Sequence, residues 1–450
     1  MIRKTNLSIG LMLCLIKAFY IINIVLMLPE TYAIWDFEKN IVLWNLVYEI
    51  IPFLVGLIIL LCSINDNSVL STASIGFFIL YFIPANSGMC LSNNDPGYYY
   101  LHNIFCILCL WLFGRNIKNE KRNCHNDNFN IELVFENRKQ IGIIRAWMIV
   151  FCFLCIIYVY LCNGLNFNIF FSEMYTVRAD FADSVAQNTG TIFAYLVLII
   201  RGTSGLFLTI YLYIAIIAKK PLDILICLFS FIALFTVSME KSTLMLILMV
   251  VFFAYLEISG RTNKLCRSLV FAILALFVLP IIEYYIRGES LVFTMLIRRV
   301  FYIPQYMMHI HYDFFKTAEK FWFRQDAFLI QNILQLLFNK PYPYDATAII
   351  SQNCFNGLIP APNSGGFAEA YSQMGALGTF VFPFIYSKLF VIMSKWASWY
   401  GEGAGRIIML KLILSLISVH FLASSSLVGF VLFIGITYVI RNIYHSKSLS

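Results

Sequence analysis

The stretch Ser268-Leu-Val-Phe-Ala-Ile-Leu-Ala-Leu-Phe-Val-Leu-Pro280-Ile-Ile-Glu283-Tyr-Tyr-Ile286 decides the fold. It is about 19 residues long and nearly free of charge, enough helix to cross about 30 Å of hydrocarbon. Arg261, Lys264 and Arg267 precede it and Arg287-Gly288 follows. Outward from it, runs of the same kind recur at 7–28, 42–62, 69–86, 98–114, 141–162, 190–217, 222–238, 242–259, 373–393, 407–424 and 426–441. The runs are continuously apolar, whereas strands of a transmembrane β-barrel alternate. The expected class is therefore all-α, a polytopic membrane protein of about 12 transmembrane helices.

Composition agrees. Of 450 residues, 60% are hydrophobic and only 12% charged, and the mean hydropathy is +0.78. A soluble domain carries about 25% charged residues. The net charge of +8 is spread around the spans rather than gathered in a nucleic-acid-binding run. The first run is too long for a signal-peptide core and contains Lys17, so it is read as a retained anchor. Most of the 12 cysteines lie inside apolar runs. The C-x-x-C pairs Cys106/Cys109 and Cys152/Cys155 lack His or carboxylate company and read as small buried residues. Only Cys162, Cys354 and Cys90 would face outward, too few for a disulfide framework.

Lys and Arg placement sets the orientation. With the N-terminus inside, inner segments hold seventeen basic residues and short outer loops hold three, Lys39, Arg178 and Lys241. Both termini are then expected in the cytoplasm. Nine spans fill 1–286, a long outer loop fills 287–372, and three spans fill 373–450. The loop is too long to be a bare connection and too aromatic (Tyr302, Tyr306, Tyr312, Phe314, Phe315, Phe321, Trp322) to be a disordered linker. Short helices folding over the bundle are expected there.

Charges inside spans cost at least about 2.5–3.5 kcal/mol each on insertion scales. Lys17, Glu49, Arg145, Arg201, Lys388 and Lys411 are such residues. Arg145 and Lys388 lie near a cytoplasmic end and can snorkel. Arg201 opens Arg201-Gly-Thr-Ser-Gly205, where small residues allow close approach; an ion pair and a functional role both stay open, with Glu49 a candidate partner.

The outer face gathers cations: Arg178, Lys241, Arg287, Arg298 and Arg299. Singly each reads as an anchor to lipid phosphate. Together they suit a diphosphate at headgroup depth, which guanidinium grips bidentately. Pro304 fits the first turn of a helix, so one is expected from Ile303, with His309 and Asp313 four residues apart on one face. A His–carboxylate pair is a candidate general base; incidental polarity on an interfacial helix is the alternative. His309 and His311 diverge on a helix and no carboxylate cluster joins them, so no metal site is expected. Glu369 stands at the outer edge of the tenth span, and Gly375 and Gly378 suit close helix packing.

The order of these features resembles the bacterial Wzy-type O-antigen and capsule repeat-unit polymerases. The likeness rests on Arg178, then Glu240-Lys241-Ser242, Arg287-Gly288, Arg299-x-Phe-x-x-Pro304 and Tyr312-Asp-Phe-Phe315. It ends in Asn363-x-x-Gly-Phe-x-Glu-Ala-Tyr371 with Gly375-x-x-Gly378. It covers most of 150–395; the first hundred residues share only hydropathy, and Ser238-Met-Glu-Lys241 departs from the Gly-Ser-Lys or Gly-Ser-Arg of many relatives. The resemblance implies a GT-C-like layout and a metal-independent glycosyltransferase of the inner membrane, without cofactor. Its donor and acceptor would be undecaprenyl-diphosphate-linked oligosaccharides, with membrane lipids, a flippase and a chain-length regulator as further candidate partners and no nucleic acid. The growing glycan would pass to the non-reducing end of the next repeat unit. Arg178, Lys241, Arg287, Arg298 and Arg299 would clamp the diphosphate, and His309 with Asp313, or Glu369, would supply the base. A lipid-linked oligosaccharide flippase, an O-antigen ligase and an envelope-assembly scaffold are the other readings.

Overall fold

In the computed structural model the described residues are helical apart from short turns and a two-residue antiparallel ladder, Thr31↔Glu38 and Tyr32↔Phe37. The structure describes residues 4–29, 31–32, 37–38, 41–66, 68–92, 95–123, 149–150, 152–154, 156–157, 191–238, 241–261, 264–322, 346–356, 365–418 and 425–448. Eleven of the twelve expected spans overlap helices; the run 141–162 lies mostly outside the described residues. Among the described residues, six helices are long and apolar enough to cross a membrane, and apolar Ile51, Phe271 and Ile286 are exposed on their outer faces. Side chains of that kind need lipid rather than water around them. The protein is an all-helical, membrane-embedded chain.

Two compact units divide it. The first comprises 1–124, 262–391 and 412–423. At its heart is Val69–Asn86, buried along its whole length. Small Ser71, Thr72, Ala73, Ser74 and Gly76 fill its first half, and a π-helical turn, Phe78–Phe82, follows. Phe77 and Tyr81 stack there at 4.9 Å, and Phe53 leans on Phe78 at 5.8 Å. Lys4–Met27 packs along Leu265–Arg287, where Asn23 donates to the Phe277 carbonyl at 2.8 Å. Leu46–Ser63 and Val69–Phe77 pack on Pro96–Asn123.

The long 287–372 segment belongs to this unit and contributes packed helices. Gly288, at φ +75°, ends Leu265–Arg287, and helix resumes at Leu291. Phe293–Tyr302 is π-helical and runs without a break into Ile303–Thr317, with Pro304 in its first turn. Phe293, Ile297, Phe301 and Tyr302 are the buried positions, a spacing wider than 3.6 residues. That wider turn keeps large apolar side chains inward. Arg298 and Arg299 therefore lie inside a helix, upstream of the start expected at Ile303.

Ile303–Thr317 packs against Gly365–Met374, and Phe321 N and Trp322 N donate to the carbonyls of Ser372 (3.0 Å) and Gln373 (2.9 Å). Gly375, at φ +61°, turns the chain into Ala376–Ala397, and Gly378 N closes the corner on the Gly375 carbonyl at 3.0 Å. A Cβ on Gly378 would run into the Ala370 carbonyl, which is backbone and cannot rotate away. Gly378→Ala is expected to cost about 1–3 kcal/mol, read as a lowered unfolding temperature in detergent, whereas Gly435→Ala, which faces open space, leaves it unchanged.

The second unit comprises 125–261, 392–411 and 424–450. Thr191–Ile217 packs on Pro221–Ser238, Lys241–Ile258 and Ser425–Ser448, with Phe207 on Phe433 at 5.2 Å. The Lys411 ammonium lies against Gly205, so the small residues after Arg201 make room for a neighbouring lysine. The Arg201 side chain itself is outside the described residues. Arg406 is 1% exposed and reaches Glu402 at 3.3 Å, and Tyr213 donates to Glu257.

Candidate functional site

Four pieces of the first unit converge on one polar region: Ile303–Thr317, Gly365–Met374, the start of Pro96–Asn123 and the central Val69–Asn86. On Ile303–Thr317, His309 Nε2 lies 3.2 Å from Asp313 Oδ2, as their four-residue spacing predicts. Asp313 is half exposed and His309 mostly covered. The Tyr98 ring packs on His309 at 4.8 Å. Burial holds the His309 imidazole below its ordinary value, while the Asp313 and Asp95 carboxylates pull it up. A ring kept neutral at the edge of solvent is the state a general base needs. His311 points elsewhere, fully buried, with Nδ1 2.8 Å from the Met307 carbonyl oxygen.

The surroundings fix this ring. Lys316 donates to Asp95 at 2.8 Å and holds that carboxyl below its usual range, and the Gly97 amide adds a bond at 2.6 Å. Tyr98 donates its hydroxyl to the Gln305 carbonyl at 3.1 Å, and His102 Nδ1 sits 3.0 Å from that same hydroxyl. Since the single Tyr98 proton goes to Gln305, His102 must donate through Nδ1. Phe367 stacks on His102 at 4.4 Å, and its amide donates to the Tyr81 hydroxyl at 2.8 Å. Tyr312 and Tyr371 face each other at 4.6 Å, and burial pushes the Tyr371 phenol up to about 12.

Glu369 is fully buried, and Tyr386 donates to its Oε2 at 2.5 Å. Arg287 ends its helix exposed and lies 3.7 Å from Glu283, one turn back. Arg298 and Arg299 are half-buried on the π-helical stretch. Lys241 opens Lys241–Ile258 but its side chain lies outside the described residues, as does Arg178 altogether. Among the described residues, no group of three or more His, Cys, Asp or Glu is placed to hold a metal ion. Cys90 is buried and Cys354 exposed; Cys162 is outside the described residues.

A second polar cluster is one that single-residue reading missed. Lys17 pairs with Glu49 at 2.9 Å, and Glu49 is fully buried. Lys17 also donates to Asn86 Oδ1 at 2.5 Å and lies over the Phe53 ring at 4.9 Å. Glu49 Oε1 accepts the Cys90 amide at 2.9 Å. Asn86 donates to Asn103 at 3.0 Å and reaches the Tyr99 hydroxyl at 3.2 Å. The available signal was opposite charge at similar depth from the same end of two neighbouring spans. Comparison with protein-family models, with curated proteins and with solved structures finds no match for the chain.

Proposed function

We propose that this chain is a glycan polymerase of the bacterial inner membrane, moving a growing oligosaccharide from undecaprenyl diphosphate onto a second lipid-linked repeat unit at the periplasmic face. The observation that carries it is the His309–Asp313 pair at the edge of the packed 287–372 segment, its imidazole held neutral by burial. In the reaction, His309 takes the proton of the acceptor hydroxyl as that oxygen bonds the donor's anomeric carbon. The bond from that carbon to the diphosphate oxygen breaks, and the lipid diphosphate leaves with the electron pair. Cations are needed where that charge develops. Arg299 lies ten residues upstream of His309 on one continuous helix, about 15 Å along its axis. Arg287 and Arg298 are the other members of the proposed clamp in this unit.

The purified chain with a lipid-linked repeat unit is expected to yield a ladder of products on a gel, and Arg287→Ala and Arg299→Ala to lose its upper rungs. No ladder from the wild-type chain would end this function; long products persisting in both variants would end the clamp. A flippase is the second reading, favoured by the Lys17–Glu49 pair inside the spans. Host phenotype separates the two. Losing a polymerase leaves single repeat units on the surface, and losing a flippase leaves none.

A further inference from the structure

A narrow cleft opens between Tyr20, Pro84, Ser87, Gly88, Leu91, Tyr302, Gln305 and Tyr306. Three separate chain segments build it, and none of the lining residues carries a charge. Two of its polar side chains lack a hydrogen-bond partner although both are buried. Gln305 is 8% exposed with neither Nε2 nor Oε1 bonded, and Ser87 is fully buried with its hydroxyl unbonded. Leaving such groups desolvated and unmet costs about 1–3 kcal/mol each, so a fold that keeps them has an occupant for them. An amide and a hydroxyl each donate and accept. The matching group does both, is neutral and is small, and that is a hydroxyl. The cleft's free space of about 10 Å³ is that of one water-sized group, so it admits a single hydroxyl rather than a sugar ring.

Gln305 also precedes His309 by one helical turn, and its carbonyl holds Tyr98, which packs on His309. A hydroxyl seated in the cleft is therefore registered to the proposed base through a single helix. We infer that Gln305 and Ser87 form a binding niche for a neutral saccharide hydroxyl and so select the acceptor sugar, an inference that rests on the polymerase reading. The same hydrogen bonds would suit a resident water, and the experiment separates the two sources.

Binding of the undecaprenyl-diphosphate-linked repeat unit is measured by thermal shift of the detergent-solubilised full chain, beside the product ladder. Gln305→Leu keeps the side chain's bulk and Ser87→Ala removes only the hydroxyl. Each is expected to weaken binding and raise KM about tenfold, with kcat changed much less. His309→Ala is expected to bind as the wild type does. If the wild-type chain makes a ladder but both variants keep wild-type affinity and KM, the niche is overturned and polymerase activity stands. A resident water gives that same result, since its loss would alter stability and not affinity. If the wild-type chain neither binds nor polymerises, the polymerase reading fails first and the niche with it.

Discussion

Glu49→Ala lowers the stability of the first unit by about 3–5 kcal/mol, the loss expected when one partner of a buried ion pair is removed. The reason is what stays behind. Lys17 would keep the Asn86 carbonyl oxygen at 2.5 Å and the Phe53 ring at 4.9 Å, with no counter-charge to offset its desolvation. The Cys90 amide would also lose its acceptor, at the start of the short Gly88–Ser92 helix. Lys17→Met is expected to cost a similar amount for the mirror reason, a buried carboxylate left alone. The double variant Lys17→Met/Glu49→Met is the decisive one, because it removes both desolvated charges while keeping apolar volume. Replacing a whole buried pair in this way is often neutral or better, so the double should recover most of the loss. Thermal unfolding of the three variants in one detergent gives the coupling energy directly. Single losses that simply add in the double variant would show that the two charges do not depend on one another.

That pair also marks the boundary of what the sequence made legible. Span positions followed from run length and from the cost of charge in lipid; Val69–Asn86 coincides with its run, whereas Pro96–Asn123 outruns 98–114 by nine residues at its C-terminal end. Pro304 likewise marked where α-helical Ile303–Thr317 takes over from the π-helical Phe293–Tyr302, since proline fits an α-helix best in its first turn. Both are local rules, satisfied within one segment. Which spans touch is not local. Glu49 was given Arg201 as a candidate partner, and the structure gives it Lys17, on a helix that run length cannot place beside it. The π-helical stretch Phe293–Tyr302 was equally hidden, because no residue type encodes a wider turn; it follows from which faces neighbours cover. Glu369 was placed at the outer edge of the tenth span by its position in the sequence alone, and its burial against Tyr386 depends on the fold. Gly375 and Gly378 were read as packing glycines. Gly378 does pack closely, against a backbone carbonyl, whereas Gly375 is needed for its positive φ.

His309 carries the other large effect. His309→Ala is expected to slow chain elongation by about 10²–10⁴, the usual contribution of a positioned base, with substrate binding and folding retained. His311→Ala is the control that distinguishes a base from a mere imidazole in this helix. It removes a fully buried ring bonded to the Met307 carbonyl, so it lowers stability without removing the pH dependence. The sign of that dependence follows from burial. Desolvation disfavours the imidazolium, so His309 stays neutral below its ordinary value of about 6.5. Elongation should hold through neutral pH and fall only as the solution becomes acidic enough to protonate the buried ring. Asp313 opposes that depression by favouring the cation. Asp313→Asn should then do two separable things: lower the plateau rate, because the ring loses the carboxylate 3.2 Å away that orients it, and move the acid limb to still lower pH. A structural role alone would lower the rate and leave the limb where it was. An acid limb that does not move in Asp313→Asn, or a His309→Ala chain that elongates at the wild-type rate, assigns the proton transfer to some other group.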